Sequence, residues 1–357
     1  MGAEVVRLAP SSACEAHTVM ARTGPAVAVL ALVLACTIVV GVTCGAVHVS
    51  WQSMAAALLH ARALSPEDRI ILMEIRLPRV LAAAMVGAAL SAAGLLFQGL
   101  FRNPLADPYV IGSSGGAVLG AMVAMVLLPQ FTWLGFSAIA LLAFAGSVAT
   151  IAVVYSLARV GGSTQVVTLL LAGFAVSTML SDSSYFVEVL DRDYGLGLRV
   201  LASWLHGSVE VPRWTQLAVV AVLLAASLGS AALLTRRLNT LALGDEYAQQ
   251  LGIHVERVRI GIILTGSLLA AVAVSLGGLI GFVGLMIPHL ARLVAGPDHV
   301  RLLPITVLAG AAFLVLTDTL ARTLLAPIEL PVGILMAFLG GPFFLYLLRR
   351  TKRGYAP

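Results

Sequence analysis

The chain has 357 residues, 60% of them hydrophobic and 11% charged, with a formal net charge of +5. Soluble domains carry about 25% charged residues. Ten bilayer crossings at about 20 apolar residues each need roughly 200 residues, and the hydrophobic fraction supplies about 214. These proportions exclude a soluble enzyme, a nucleic-acid-binding domain and a disordered chain, and they describe a polytopic membrane protein with no nucleic-acid partner.

Residues 1–24 are too polar, and the apolar run after them too long, for a cleaved signal peptide. They read as a cytoplasmic tail before an uncleaved first span at Pro25–Val47. Further apolar runs fall at 80–100, 109–128, 133–158, 165–184, 215–235, 259–277, 279–295, 304–321 and 331–349. Backbone polar groups cannot stay bare in lipid, so these runs are expected to be helices. The prediction is an all-α fold with ten spans over 25–349 and a short basic tail at 350–357. The seventh and eighth runs share Gly277-Gly278 and have the least distinct boundary. Connections 48–79 and 185–214 face outward, the second carrying Glu188, Asp191, Asp193 and Glu210. Connection 236–258 faces inward and reads as short helices broken at Gly244 and Gly252. With the first residue inside, 14 Lys and Arg lie inside and 8 outside. That bias places both termini in the cytoplasm, as an even number of spans requires.

The chemistry-bearing residues are few. Cys14, Cys36 and Cys44 suggest neither a disulfide framework nor a metal site. The seven histidines have no metal-ligand spacing such as His-x3-His, so no metal is expected. Lys352 is the only lysine, and its surroundings are not a Gly-Lys-Ser/Thr phosphate loop. The chain is therefore expected to bind no nucleotide of its own.

Gly112-Ser113-Ser114-Gly115-Gly116 fits the pattern of a serine nucleophile, for which His289 is the histidine well inside a span. The same residues suit a small-residue face that lets helices pack closely. Asp182 and Asp318 lie near the outer ends of their spans. An ion-coupled secondary carrier would instead place ionisable or broken-helix sites at mid-membrane. His206, near the outer mouth, is either a solvated or capping residue or a contact for an iron complex. Leu243–Gly252 opens with two acids and stops at a glycine. It reads equally as loop decoration or as an element that plugs into a groove of a soluble partner.

Several motifs together resemble a known family. They are Arg76-Leu77-Pro78-Arg79, Gly94, Gln98, Arg102-Asn103-Pro104-Leu105-Ala106-Asp107-Pro108 and Ile111–Gly115. Leu243–Gly252, Ile280–His289, Glu329–Ile334 and Gly341–Phe344 continue the series. In order over about residues 70–350, this set resembles the FecCD-type permeases of binding-protein-dependent ABC importers, whose cargoes are iron–siderophore complexes, haem or cobalamin.

The resemblance implies ten helices, a dimer with a path along the subunit interface, and a chain that is not itself an enzyme. ATP and Mg would bind two copies of a separate P-loop ATPase, and an extracytoplasmic binding protein would deliver cargo. It further implies ATPase coupling through Leu243, Gly244, Asp245, Glu246, Ala248, Leu251 and Gly252. Binding-protein docking would involve Arg76, Arg79 and Arg322, and a cytoplasmic gate would lie at Ser163, Thr164, Val166, Val167 and Thr168. Val166 and Val167 stand where cobalamin importers carry small hydroxyl residues. That difference weighs against cobalamin, and the expected cargo is a ferric siderophore first, then haem, then cobalamin. His206 replaces the apolar residue usual before Gly-Ser and is kept as a possible substrate contact.

Overall fold

A computed structural model describes residues 12–45, 47, 49, 65–128, 130–160, 163–189 and 203–352. Among these, the apolar runs form ten helices: α1 (Ser12–Thr43), α2 (Pro66–Leu100), α3 (Ser113–Leu127), α4 (Ala138–Ala158), α5 (Val166–Val189), α6 (Trp214–Ala242), α8 (Val255–Gly277), α9 (Val283–Ala295), α10 (His299–Thr323) and α11 (Val332–Lys352). A further short helix, α7 (Asp245–Gln250), lies between α6 and α8. Two small hairpins, β1 (Thr132–Trp133) with β2 (Phe136–Ser137) and β3 (Arg159–Val160) with β4 (Ser163–Thr164), connect α3 to α4 and α4 to α5. Inner and outer faces are named below from the charge asymmetry.

Two expected boundaries move. α1 begins at Ser12, so the first helix starts well before its apolar span, which covers Gly24–Thr43. Pro66–Arg79, expected in an outer loop, is helical and continuous with the second span. Ser65 caps this helix by accepting the Asp68 backbone N–H at 3.1 Å, with Pro66 at the first position. A π-helical turn, Ile70–Arg76, ends two residues before Pro78. Proline cannot donate to the preceding turn, and a π turn is one way a helix absorbs the misfit.

α2 is the axis of the bundle and packs against α6, α8, α9 and α10. Lipid tails are as apolar as leucine, so helices in a membrane are held by close packing more than by water exclusion. The sequence meets this requirement with small residues at the crossings. A Cβ on Gly87 would lie 2.8 Å from the Gly310 carbonyl carbon on α10, so only glycine permits that approach. α3 packs on α4 and α5 in a second group, while α1 lies against α10.

Of the ten helices, α3, α9 and the apolar part of α11 (Val332–Leu347) are shorter than the seven that can each cross a membrane by length and composition. Irregular backbone supplies the missing length for the first two. Residues 101–112 fold back into the bundle, where Pro108 packs against Gly284, although 101–108 were expected at the cytoplasmic surface. The break between α8 and α9 also lies inside, with Gly277 facing Val86 midway along α2. Non-helical backbone is tolerated at such depth only when protein groups satisfy it. Phe282 adopts a left-handed conformation (φ 67°) at the start of α9. The Asp107 carboxylate accepts from the Tyr109 N–H at 2.9 Å and also serves the Phe282 N–H. Pro288 leaves the carbonyl four residues earlier, on Gly284, without its helical donor. The Gln98 side-chain amide fills that gap, donating to the Gly284 and Leu285 carbonyls at 3.3 and 3.0 Å.

Candidate coupling and gating site

At the inner face, α2, α6, α7, α8 and the β3–β4 hairpin converge on one polar cluster. α7 is set off by Gly244 (φ 123°) and Gly252 (φ 79°), matching the breaks expected from the sequence. Its Ala248 is fully buried, whereas Leu243, Tyr247 and Leu251 are 66%, 63% and 66% exposed. One small residue thus seats the helix while three large apolar ones project from the inner face. Glu246 is exposed as well.

Asp245 does not project. Its Oδ1 pairs with Arg102 at 2.8 Å and its Oδ2 pairs with Arg259. Arg102 also donates to the Leu241 carbonyl at 2.6 Å, closing the end of α6. These two bonds hold Arg102 at φ 49°, a left-handed conformation at the end of α2 where glycine is usual. Asp245 therefore fixes α7 to the bundle, while 38% of its side chain stays exposed at the inner face.

The β3–β4 hairpin carries the residues expected to gate the path. Thr164 is buried, and its backbone N–H donates to Glu256 Oε2 at 3.1 Å. Its hydroxyl bonds the other oxygen of Glu256, and its carbonyl accepts from Arg259 Nη1 at 2.9 Å. Tyr155 of α4 also reaches Glu256 Oε1, at 3.3 Å. Thr164 is thus held through amide, hydroxyl and carbonyl. Val167 is 68% exposed at the start of α5, and Val166 and Thr168 are half-buried, with Thr168 bonded to Gln165 at 3.2 Å. Ser163 pairs with Val160 through the hairpin backbone. A cleft of about 630 Å³ opens between hairpin and α7, lined by Arg102, Thr164, Val167, Asp245, Glu256 and Arg259 among others. Sequence reasoning missed Glu256 and Arg259 as site residues. Their spacing puts both on one face of α8, but Thr164, which both bind, lies 92 and 95 residues away in sequence.

The outer arginines behave differently from expectation. Arg76, Arg79 and Arg322 are buried, at 4%, 7% and 5% exposure. Arg76 donates to the Val42 and Thr43 carbonyls at 3.1 and 2.9 Å and to that of Val47, gathering the end of α1. Arg79 pairs with Asp318 at 3.2 Å and with Glu329 at 2.7 Å. Arg322 pairs with Asp318 at 3.0 Å and donates to the Gly41 carbonyl at 3.1 Å. In this chain their donors are engaged internally, so the three arginines join α1, α2 and α10 and do not offer free guanidinium groups to a docking protein. Buried charges need such pairing to be tolerated.

Ser114 Oγ lies 3.3 Å from Ser177 Oγ on α5, and Ser177 Oγ accepts the Gly115 N–H at 3.0 Å. The partner is another hydroxyl, not a base. His289 stacks edge-on against Phe343, with ring centroids 6.0 Å apart. The motif is a packing face, as its glycines indicate: a Cβ on Gly116 would lie 2.8 Å from the Gly146 carbonyl carbon. His206 is exposed, on a segment whose Gly207 carbonyl accepts the Gly333 N–H at 3.1 Å at the start of α11. Asp182 is exposed on α5. No cluster of His, Cys, Asp and Glu suited to a metal occurs among the described residues.

Ten apolar helices, re-entrant backbone and a short helix on the inner face define a multi-pass membrane permease. Residues 31–350 match the FecCD transport family, and the chain belongs to that family. It is 44% identical over 283 residues to the cobalamin import system permease protein BtuC of Halobacterium salinarum, covering 79% of this chain and 74% of that one. It is 41% identical over 285 residues to the hemin transport system permease protein HmuU of Yersinia pestis, covering 79% and 84%. The fold matches a solved structure described as an inward-facing metal-chelate type ABC transporter. That match has a TM-score of 0.77 and 31% identity, over 92% of this chain and 99% of the other. The chain is thus an ABC-transporter permease, a membrane subunit.

Proposed function

We propose that two copies of this chain form the path of an importer for an iron complex, with a ferric siderophore first, haem second and cobalamin third. Two copies of a P-loop ATPase, carrying ATP and Mg, hold the inner face, and a binding protein delivers cargo outside. The observation that carries this reading is α7. Tyr247 projects from a helix anchored by Asp245, with Leu243 and Leu251 exposed on either side of it, the form expected of an element that fills a groove in a soluble partner. The relatives named for cobalamin and hemin support a large metal-chelate cargo. ATP binding would favour one orientation of the path over the other by binding the ATPase arrangement that accompanies it.

Docking of the binding protein falls on the outer face near Glu329, which is half-exposed and held in place by Arg79. Arg76, Arg79 and Arg322 contribute by shaping that face from beneath. His206, exposed on the segment joined to α11, is the residue proposed to meet cargo. The test is purification of the tagged chain from its native membrane, followed by uptake of radiolabelled iron complexes into vesicles loaded with ATP. Equal amounts of a P-loop ATPase and ATP-dependent accumulation are expected. A homo-oligomer without an ATPase, under conditions that preserve other ABC complexes, would remove the reading.

A further inference from the structure

Taking α7 as the element an ATPase holds, we infer that Arg259 is the positioning residue that carries movement of α7 to the gate hairpin. Arg259 lies in the second turn of α8, with its side chain 16% exposed, and it is bonded to both elements. Nη1 donates to the Thr164 carbonyl at 2.9 Å, while Nη2 pairs with Asp245. A guanidinium is a rigid planar fork with fixed separation between its nitrogens. Hydrogen bonds weaken steeply when stretched or bent from their preferred geometry. A displacement of Asp245 must therefore either drag the fork or break it, and dragging the fork moves the Thr164 carbonyl.

The surroundings direct that movement. Arg102 holds the other oxygen of Asp245 to the end of α2, so α7 has a pivot there at 2.8 Å. Glu256, one turn before Arg259, binds the Thr164 amide and hydroxyl, so the hairpin follows the first turns of α8. The cleft between α7 and the hairpin leaves room for the motion. No other residue among those described bonds to both Asp245 and Thr164.

The experiment uses the full complex with its ATPase in lipid nanodiscs, with Cys14, Cys36 and Cys44 replaced by serine. A single cysteine probe is placed at Gln165→Cys on the hairpin or at Gln250→Cys on α7. Each is labelled with a hydrophilic maleimide, with and without MgATP trapped by vanadate. In the parent, trapping is expected to change the labelling rate at Gln165→Cys by about fivefold or more. In Arg259→Lys, which keeps the charge and loses the fork, that response should fall below about twofold while the ATPase still protects Gln250→Cys. A merely structural role would shift the resting rate and leave the response to ATP intact. If Arg259→Lys does not assemble, Asp245→Asn weakens the α7 end alone, retains the Thr164 bond and should give the same loss. An unchanged response in the variant that assembles would overturn the inference. Absence of Gln250→Cys protection in the parent would remove the ATPase reading of α7 and the inference with it.

Discussion

Glu256 at the start of α8 accepts the backbone N–H of Thr164 at 3.1 Å, closing the β3–β4 hairpin onto a helix that follows it by some 90 residues. The carboxylate serves the amide and the hydroxyl together, so removing it leaves a buried donor without a partner. Such a loss costs about 1–3 kcal/mol. Glu256→Ala is expected to speed hydrogen exchange at the Thr164 amide by roughly 5- to 150-fold, since about 1.4 kcal/mol is tenfold in an equilibrium. Glu256→Gln, which keeps one acceptor oxygen, should lose much less. Equal exchange in the parent and Glu256→Ala would show that the hairpin is held by its own backbone.

The two acids that open α7 should separate in function. Asp245 binds two arginines, whereas Glu246 is exposed. A charge-assisted hydrogen bond contributes about 1.5–3 kcal/mol. Asp245→Ala is expected to reduce ATP-driven uptake by about tenfold or more, since either lost bond releases α7 from its seat. Glu246→Ala should stay within about threefold, as removal of an exposed charge usually changes little. Uptake assayed at matched membrane abundance decides this, and a larger loss from Glu246→Ala would mean that direct charge contact outweighs anchoring.

The number and type of the helices were legible because ten long apolar runs leave few alternatives in lipid. α7 was legible from Gly244 and Gly252, since glycine tolerates the positive φ that stops a helix. The re-entrant path of 101–108 was not. Its polar and proline-rich composition is that of a surface loop, and what draws it inward is Asp107 beside Phe282 and Pro108 on Gly284, partners over 170 residues away. Arg76, Arg79 and Arg322 were visible as charges near the outer face, but local i,i+4 spacing links Asp318 to Arg322 alone, and no local pattern links Arg79 to Asp318 or Arg76 to the α1 carbonyls. The acidic outer stretch Glu188, Asp191 and Asp193 lies largely outside the described residues, as do residues 50–64.

Gln98 and Pro288 should be energetically coupled. Pro288 frees the Gly284 carbonyl, and the Gln98 amide takes it, while Gln98 Oε1 accepts from Arg292 at 3.2 Å. Gln98→Leu is expected to destabilise the chain by about 1–3 kcal/mol because buried polar groups lose their partner. Pro288→Ala restores a backbone donor for that carbonyl. In the Pro288→Ala background, the cost of Gln98→Leu should therefore shrink. Thermal or denaturant unfolding in detergent, arranged as a double-mutant cycle, measures the coupling. Additive costs would refute a shared carbonyl.

The outer clasp offers a sharper contrast between framing and docking. Asp318 is fully buried between Arg79 and Arg322, which lie 3.2 and 3.0 Å from its two oxygens. Removing one partner from a buried ion pair costs about 3–5 kcal/mol, because the remaining charge keeps its desolvation penalty. Asp318→Asn leaves two buried guanidinium groups facing a neutral amide, and a loss of that order in unfolding free energy is expected. Arg79→Met combined with Asp318→Leu removes a pair but leaves Arg322 without its carboxylate, so it should recover only part of the loss. The triple variant that also carries Arg322→Met should recover more, since a fully apolar replacement strands no charge. If the arginines instead served a docking protein directly, Arg79→Lys would weaken that complex with little change in unfolding. Stability and binding-protein affinity measured on the same variants separate the two roles.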